Sequence, residues 1–477
     1  MSKVGIDALS FYVPSLFVPM EELAARRDIP YEKLRRGLGL EKMAIPDINE
    51  DAASFAANAL LRLIEDNTID PRDIGRVYLG TESAVDGSKP TATYALGVVE
   101  EKLTGKWGER AFRNCDVVDL TFACVGAVDA MHNCIDWVKA GNDRKAIVIA
   151  SDLSKYELNS TGEYTQGAGA VAVLISENPS ILSFSDTWGV GTSSVGDFFK
   201  PRRYFNKTDL AVSLLKESGV ELSEEQIDTI VTQAPSEFWN DGNALVEVFK
   251  EEPVFEGQYS NQCYSDRITE ALEHFNQQTP TNFLKDWEYL VFHLPYAYHG
   301  RRIIFSNWLT WLEENDQMDV LLAETGPVGD DRKTWERAAS KSEMYRQFVK
   351  DKIEKGERAS SLIGNMYTAS IFMAFLSLVR SCFIEEEELS GKKVGFIAYG
   401  SGSKSKVFEG RIENGWKKSV SRVKLFEQLE ERSVIDVELY EKIHRGIQQE
   451  SVEAHSVITL KEIETEDQNT KGLRKYS

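Results

Sequence analysis

A strand that turns into a helix of small residues occurs twice in this chain, and that repetition limits what it can fold into. In Val117-Val118-Asp119-Leu120-Thr121-Phe122-Ala123-Cys124-Val125-Gly126-Ala127 a β-branched, apolar run gives way to small residues, with Cys124 at the turn. Ser361-Leu362-Ile363-Gly364-Asn365-Met366-Tyr367-Thr368-Ala369-Ser370 repeats the pattern with Asn365 at the turn. Two such units predict a duplicated architecture. Strand-like runs at 77–79, 146–150, 169–175, 230–233, 289–292 and 394–399, with helical patterns between them, predict layered α/β structure. Over 52–65, Phe55, Ala59, Leu60, Leu63 and Ile64 fall on one helical face, with Pro71 beyond.

The chain is long enough, at 477 residues with 42% hydrophobic, for two similar halves sharing a large core. The halves are expected at 1–178 and 179–410, with a polar insertion at 315–355 decorating one face. A charged extension at 411–477 is expected to be helical over 422–440 and frayed at its end. Glu385 to Glu388 reads as a solvated loop. The apolar run 371–379 reads as a buried core helix, too short to span a membrane. The first residues carry charge before any leader-like apolar stretch, which places the protein in the cytoplasm.

Three side chains carry chemistry. The N–H groups at a helix start favour thiolate over thiol at Cys124, which suits an acyl acceptor. Most cysteines in apolar runs only fill a core, so its company decides. His293 ends the apolar strand Tyr289-Leu290-Val291-Phe292, and Pro295 stops strand pairing and aims the imidazole into a loop. A Cys/His/Asn set drawn from separate segments is a known arrangement for thioester chemistry. Glu82, in Gly80-Thr81-Glu82-Ser83, ends a short strand among small hydroxyl residues, the setting of a placed acid or base, although an isolated glutamate is usually just solvated.

Further motifs follow in order: Lys89-Pro90, Tyr164-Thr165-Gln166-Gly167-Ala168-Gly169-Ala170-Val171, Asp197-Phe198-Phe199-Lys200-Pro201, Phe292-His293-Leu294-Pro295 and Gly364-Asn365-Met366-Tyr367-Thr368. With those around Glu82 and Cys124, this ordered set resembles the hydroxymethylglutaryl-CoA synthase family, a branch of the thiolase superfamily. The resemblance runs from near residue 5 to near 410. It implies a thiolase-like duplicated five-layer αβαβα fold and the condensation of acetyl-CoA with acetoacetyl-CoA, a step of the mevalonate pathway of isoprenoid synthesis. Cys124 would take the acetyl group. Glu82 would be the general base on its methyl, in a partly dry site that raises a carboxylate's pKa. His293 would hold the second substrate and polarise its ketone. By the same resemblance Asn365 and Ser401 contact the acetoacetyl portion, Tyr156 borders the acetyl site and Thr165 lines the substrate. Backbone N–H groups of Cys124 and of the 399–403 turn would face the thioester oxygens. Coenzyme A thioesters are then substrates, with no cofactor and no metal, and a homodimer is implied.

One departure stands out. Where the family has Pro-Phe-x-Lys-Met-Gly, this chain reads Pro295-Tyr296-Ala297-Tyr298-His299-Gly300, so a lysine expected near coenzyme A phosphates is Tyr298. Arg301 and Arg302 follow at once and are candidates to replace it. Lys200, Arg202 and Arg203 are further candidates, because the chain is acidic overall, net −21, whereas coenzyme A is a polyanion. The same acidity disfavours nucleic acid. His299 reads as a surface or lining residue. The lost lysine keeps an alternative open: a β-branching synthase acting on acetoacetyl groups carried by an acyl carrier protein in polyketide biosynthesis. Glu82 in its setting argues against a ketoacyl synthase, and joint retention of Cys124, Glu82 and His293 argues against an inactive scaffold. Five cysteines without metal spacing fit thiols in a reducing compartment.

Overall fold

Two compact units make up the computed structural model, which describes residues 3–233, 238–239, 243–452 and 456–477: Met1–Asp197 with Glu256–Ser477, and Phe198–Phe255. The larger unit is built on nine strands: β1 (Val4–Tyr12), β2 (Ile74–Gly80), β3 (Asp116–Leu120), β4 (Lys145–Leu153), β5 (Ala168–Glu177), β6 (Leu182–Thr192), β7 (Tyr289–Phe292), β8 (Lys393–Gly400) and β9 (Lys404–Ile412). Their order is β7-β8-β9-β6-β1-β5-β4-β2-β3. In one part β2 runs parallel to β4, which is antiparallel to β5, which is antiparallel to β1. In the other, β7 runs parallel to β8, which is antiparallel to β9, which is antiparallel to β6. The same order and polarity therefore occur twice. Within the sheet the two parts join where Gly5 and Ile6 of β1 pair with Ser183 and Leu182 of β6.

Strands buried on both faces need apolar residues at every position, which is why β4 and β5 stand out in the sequence. Ile147 and Ile149, with Ala170, Ala172 and Leu174, pack into one core. Ala146, Val148, Ala150, Val171, Val173 and Ile175 pack into the other. Helices α1 (Ala52–Asn67) and α2 (Thr91–Trp107) cover the first face. The start of α1 is fixed by a capping box, in which the Asp51 carboxylate accepts from the N–H groups of Ala53 and Ser54 while Ser54 Oγ accepts from Asp51 N–H. Helices α3 (Gly126–Lys139) and α4 (Ser370–Ile384) meet between the two parts of the sheet, where Val128 and Met131 face Ile371 and Phe375 around Phe396 and Phe408. Helix Gly257–Gln278 packs on β6, β8 and β9 through Ile268, Ala271, Leu272 and Phe275. Helices and sheets thus alternate in five layers. The stretch Tyr367–Ile384, which is apolar and long enough to cross a membrane, has 89% of that window buried inside the protein and is the expected core helix.

Several local expectations are corrected. Residues 361–363, read as a strand before the Asn365 turn, are the end of helix Glu354–Ile363, and residues 230–233 are the end of helix Glu224–Gln233. There Ser223 Oγ accepts from Gln226 N–H and the Gln226 side chain accepts from Ser223 N–H, a helix-start signal that outweighs a short apolar run. The 315–355 insertion is more than surface decoration, since its helices send Leu321, Trp335, Tyr345 and Phe348 into the core. Glu387 is no bare loop acid, because it accepts from the Tyr289 hydroxyl and pairs with Lys355. Nor is the tail frayed. Strands Leu460–Ile463 and Arg474–Tyr476 pair, and Arg474 and the Tyr476 hydroxyl reach Asp51 at 3.0 and 2.8 Å.

The smaller unit carries strand Phe198–Phe199, strand Arg202–Asn206, helix Lys207–Glu217, helix Glu224–Gln233, strand Leu245–Phe249 and strand Val254–Phe255. Arg202–Asn206 pairs antiparallel with Leu245–Phe249.

The C-terminal extension is tied in by one buried cation. Arg27 lies 2.7 Å from Glu163 and 2.7 Å from Glu441, which belongs to helix Val437–His444. Tyr440 donates to Glu163 (3.1 Å) and accepts from the Gln166 amide (2.8 Å), while the His444 ring bonds the Tyr156 carbonyl. Replacing Arg27 by Met leaves the buried Glu163 without a countercharge, while Glu441 keeps only Arg26 and Arg445, each at 3.6 Å. Unfolding in urea should show a loss of about 3–5 kcal/mol, part of which returns when Glu163→Gln is added.

Candidate active site

Strands β2, β3 and β4 are mutually parallel, so their carboxyl ends open at one edge and deliver Glu82, Cys124 and Asp152 to neighbouring turns. The Cys124 turn is closed by Val125 N–H donating to Phe122 O at 3.0 Å, and Ala123 takes a left-handed φ of 38° just before the cysteine. Helix α3 starts two residues later, so its first turn lies beside the sulfur. Cys124 Sγ lies 3.3 Å from Glu82 Oε1, with the thiol as donor. On the other side Gly400 closes in. A Cβ there would lie 2.8 Å from Phe122 O and 2.9 Å from Val125 N, so only glycine lets the 399–403 turn approach the thiol.

Asp152 escaped the sequence reading. It is fully buried. Its Oδ1 accepts from the Thr81 hydroxyl (2.9 Å) and Glu82 N–H (2.8 Å), and its Oδ2 from Thr368 N–H (3.1 Å). Thr368 Oγ in turn accepts from Ala127 N–H at the start of α3 (2.8 Å). No signal within its strand marks it, since it stands two residues past the apolar run 146–150, as a surface acid at a strand end would.

The Asn365 turn enters from the second half. Gly364 has a φ of 92°, and a Cβ on it would lie 1.9 Å from Gln166 O, so the turn demands glycine twice over. Asn365 N–H donates to Thr165 O (2.9 Å), Asn365 O accepts from Ser154 Oγ (2.9 Å), and Asn365 Oδ1 accepts from Tyr367 N–H (2.8 Å). The Thr165 hydroxyl turns back to Gly162 O, so Thr165 holds Asn365 through its carbonyl. Tyr156 is buried, with the side chains of Tyr367 and Asn365 acting on its phenol. Burial first, and then the nearby Cys124, push its phenol up and keep it a neutral donor.

His293 is 1% exposed. Burial, followed by neighbouring His299, pushes its imidazole down to about 3, against a bond to the Tyr367 backbone that favours the charged form. It is neutral at physiological pH. Its Nδ1 is buried with no partner among the described residues. Tyr264, also unnoticed in the sequence, donates to His293 O (2.8 Å) and stacks on Tyr399 at 4.0 Å. Burial and then Cys124 push its phenol up, placing it electrostatically beside the thiol. His299 is deeply buried rather than superficial, with its ring between those of Tyr264 and Tyr296 and both nitrogens without partners among the described residues. The Ser401 hydroxyl bonds the Tyr399 side chain. Asp197, fully buried, accepts from the Tyr399 hydroxyl (2.6 Å) and Gly402 N–H (2.8 Å).

The basic candidates are differently employed. Arg301 holds Glu357 through two nitrogens, one at 2.9 Å, and its guanidinium lies 3.8 Å from the Tyr298 ring centre. Arg302 donates to Gly37 O and lies over the Tyr296 ring. Lys200 belongs to the smaller unit, as do Arg202, which pairs with Glu247 at 2.7 Å, and Arg203.

The hydroxymethylglutaryl-coenzyme A synthase N-terminal family model matches residues 1–180, and the C-terminal model matches 246–474. The hydroxymethylglutaryl-CoA synthase of Haloferax volcanii is 30% identical over 460 residues, covering 93% of this chain and 92% of that protein. The enzyme of the same name from Enterococcus faecalis is 26% identical over 439 residues, covering 92% and 90%. Among solved structures, MvaS in complex with 3-hydroxy-3-methylglutaryl coenzyme A aligns with a TM-score of 0.76 at 25% identity, covering 100% of this chain and 99% of that one. The HMG synthase of the curacin biosynthetic pathway shares the fold, with a TM-score of 0.73 at 19% identity over 100% and 99% of the two chains.

The buried histidines set an acid limit on stability. Their folded pKa values lie near 3, below the 6.5 of an ordinary imidazole. Below pH 6.5 the unfolded chain takes protons that the folded chain refuses, so the stability these groups allow is complete above 6.5 and is lost as pH falls toward 3. Nitrogen-detected NMR should find neither ring titrating between pH 5.5 and 8. Urea unfolding at pH 7.5 and 5 should show a smaller loss on acidification for His299→Phe than for the parent protein.

Proposed function

We propose a division of labour among these residues from one premise: the chain belongs to the hydroxymethylglutaryl-CoA synthase family, and so condenses acetyl-CoA with acetoacetyl-CoA to 3-hydroxy-3-methylglutaryl-CoA. Cys124 attacks the acetyl thioester, its proton passes to Glu82, and coenzyme A leaves as the thiol. Glu82, once more a carboxylate, removes a proton from the methyl of acetyl-Cys124. The resulting enolate carbon attacks C3 of acetoacetyl-CoA. His293, as a neutral imidazole, holds that substrate and polarises or protonates the ketone oxygen as it becomes an alkoxide. That oxygen ends as the product's hydroxyl, and the proton that Glu82 took from the methyl balances the one gained there. Water then hydrolyses the Cys124 thioester and frees the product. Asn365 and Ser401 hold the acetoacetyl portion, and Tyr156 borders the acetyl group.

The observation that carries this reading is the 3.3 Å contact between the Cys124 sulfur and Glu82. One carboxylate within reach of the sulfur is also within reach of the methyl of an acetyl group on that sulfur, so the same base serves both proton transfers. In this reading the enzyme works in the cytoplasm as a homodimer. Residues 1–178 and 179–410 are its two catalytic halves and 411–477 its extension, while Lys200 and Arg302 are proposed for the coenzyme A side, Arg301 being held by Glu357. Tyr298, in place of the family lysine, is the one feature that favours an acyl carrier protein as carrier of the acetoacetyl group.

Given acetyl-CoA alone, Cys124→Ser should show no acetyl adduct by intact mass. Glu82→Ala should keep the adduct, with condensation slowed about a hundred- to ten-thousand-fold. An unchanged condensation rate in that variant would remove the role given to Glu82. Turnover that requires an acyl carrier protein would replace the coenzyme A reading with the β-branching one.

A further inference from the structure

Beside the Asn365 turn, on the side of Leu362, lies a cavity of about 390 Å³. Phe11, Val13 and Leu429 belong to its apolar lining, and Arg62, Gln428 and Arg432 to its polar lining. The two arginines are unlike the other buried ones. Arg27 holds Glu163 and Glu441, Arg301 holds Glu357, and Arg380 holds Glu427. Among the described residues neither Arg62 nor Arg432 is paired with a carboxylate. Arg432 is 9% exposed. It donates from Nε to Leu429 O (3.1 Å) and from Nη2 to Leu362 O (2.7 Å), while its buried Nη1 has no acceptor. Arg62 donates from Nη1 to Phe11 O (3.3 Å) and Gln428 Oε1 (2.9 Å). Their contacts are these carbonyls, an amide and the ring faces of Tyr12 (5.5 Å from Arg62) and Phe17 (5.2 Å from Arg432). Asp66 acts on Arg62 from nearby, and no carboxylate among the described residues closes on either charge. Burial accordingly pushes Arg432 down to about 10 and lowers Arg62 as well. Glu431 lies in the wall and Glu430 acts on Arg432 from nearby, but neither closes an ion pair with it.

Two desolvated guanidiniums facing one cavity are costly unless an anion joins them, and their planar N–H forks match a phosphate. We propose that this cavity binds a small phosphate ester, with the dianionic head between Arg62 and Arg432 and a short aliphatic body against Phe11, Val13 and Leu429. This ligand is separate from the thioester substrates, and its binding does not rest on the catalytic reading above. Because Arg432 also holds the Leu362 carbonyl, three residues before Asn365, the site adjoins the turn that carries a catalytic-site amide.

Isothermal titration of the full chain with butyl phosphate, inorganic phosphate and pentanoate, in saturating coenzyme A, tests this. Butyl phosphate should bind once per chain, more tightly than phosphate, which lacks the apolar body, and more tightly than pentanoate, which carries a single charge. Arg62→Gln and Arg432→Gln should each weaken binding about tenfold or more, the effect of losing a charge-assisted hydrogen bond. Thermal melting confirms that each variant is folded, and Arg62→Gln serves alone if Arg432→Gln is not. Absence of binding, displacement of butyl phosphate by coenzyme A, or unchanged affinity in folded variants would each overturn the proposal. Equal affinity for phosphate and butyl phosphate would remove the aliphatic part of the ligand.

Discussion

The buried carboxylate of Asp152 is the interaction on which the site depends. It accepts from a hydroxyl and two backbone N–H groups, and these belong to the Glu82 turn and to the Thr368 segment of the opposite half. A carboxylate stripped of water needs such donors, and charge-assisted bonds are stronger and shorter than neutral ones. The need is mutual, because the N–H groups of two turns would otherwise be buried unsatisfied. Thr368 extends the link to the first turn of α3, directly after Cys124. One fixed charge thus holds the backbone of Glu82 in register with the helix that begins beside the thiol.

Duplication explains why such a link is possible. The order β2-β4-β5-β1 recurs as β7-β8-β9-β6, and each half sends a turn and a helix to the centre, α3 behind Cys124 and α4 behind the Asn365 turn. Two similar halves meeting about a shared core bring their strand ends to a common edge. They meet at backbone-to-backbone distance at Gly364 and Gly400, where a Cβ would fall at 1.9 and 2.8 Å from a carbonyl oxygen of a facing segment. The glycines in these motifs therefore set spacing between segments as much as they set local turns.

Legibility in the sequence followed the range of the interaction. The β4 and β5 runs and the face of α1 showed plainly, because burial on both faces of a strand and a capping box both leave local patterns. Cys124, Glu82 and His293 were singled out because each ends an apolar run at a turn and falls in a motif of the family that the sequence resembles. Asp152 was missed because its partners stand 70, 71 and 216 positions away, and nothing within its own strand distinguishes it from a surface acid. Arg301 looked like a free cation for the same reason, its carboxylate lying 56 positions on. The tail looked mobile because its anchor is Asp51, more than four hundred positions earlier. His299 was read as a surface or lining residue because the family motif runs only around His293, whereas its ring is buried against those of Tyr264 and Tyr296.

The aromatic lining bears on the chemistry itself. Tyr156, Tyr264 and Tyr367 are all buried, and in each burial is the main force raising the phenol while the thiol adds a smaller push. Phenols held in that state stay protonated and so remain donors around the thiol. The same dryness keeps His293 neutral, so in the proposed mechanism it would polarise a ketone without adding a full positive charge that would favour the carboxylate over its proton-accepting role. A carbanion beside a thioester is hard to form in water, because water stabilises the carboxylate base more than the enolate it must create. Excluding water narrows that gap, and fixed neutral donors then stabilise the enolate oxygen with no reorganisation during the reaction. The charges that flank the site are accordingly held in pairs away from the sulfur, with Arg301 on Glu357 and Lys404 on Asp129, leaving Glu82 as the carboxylate in contact with it.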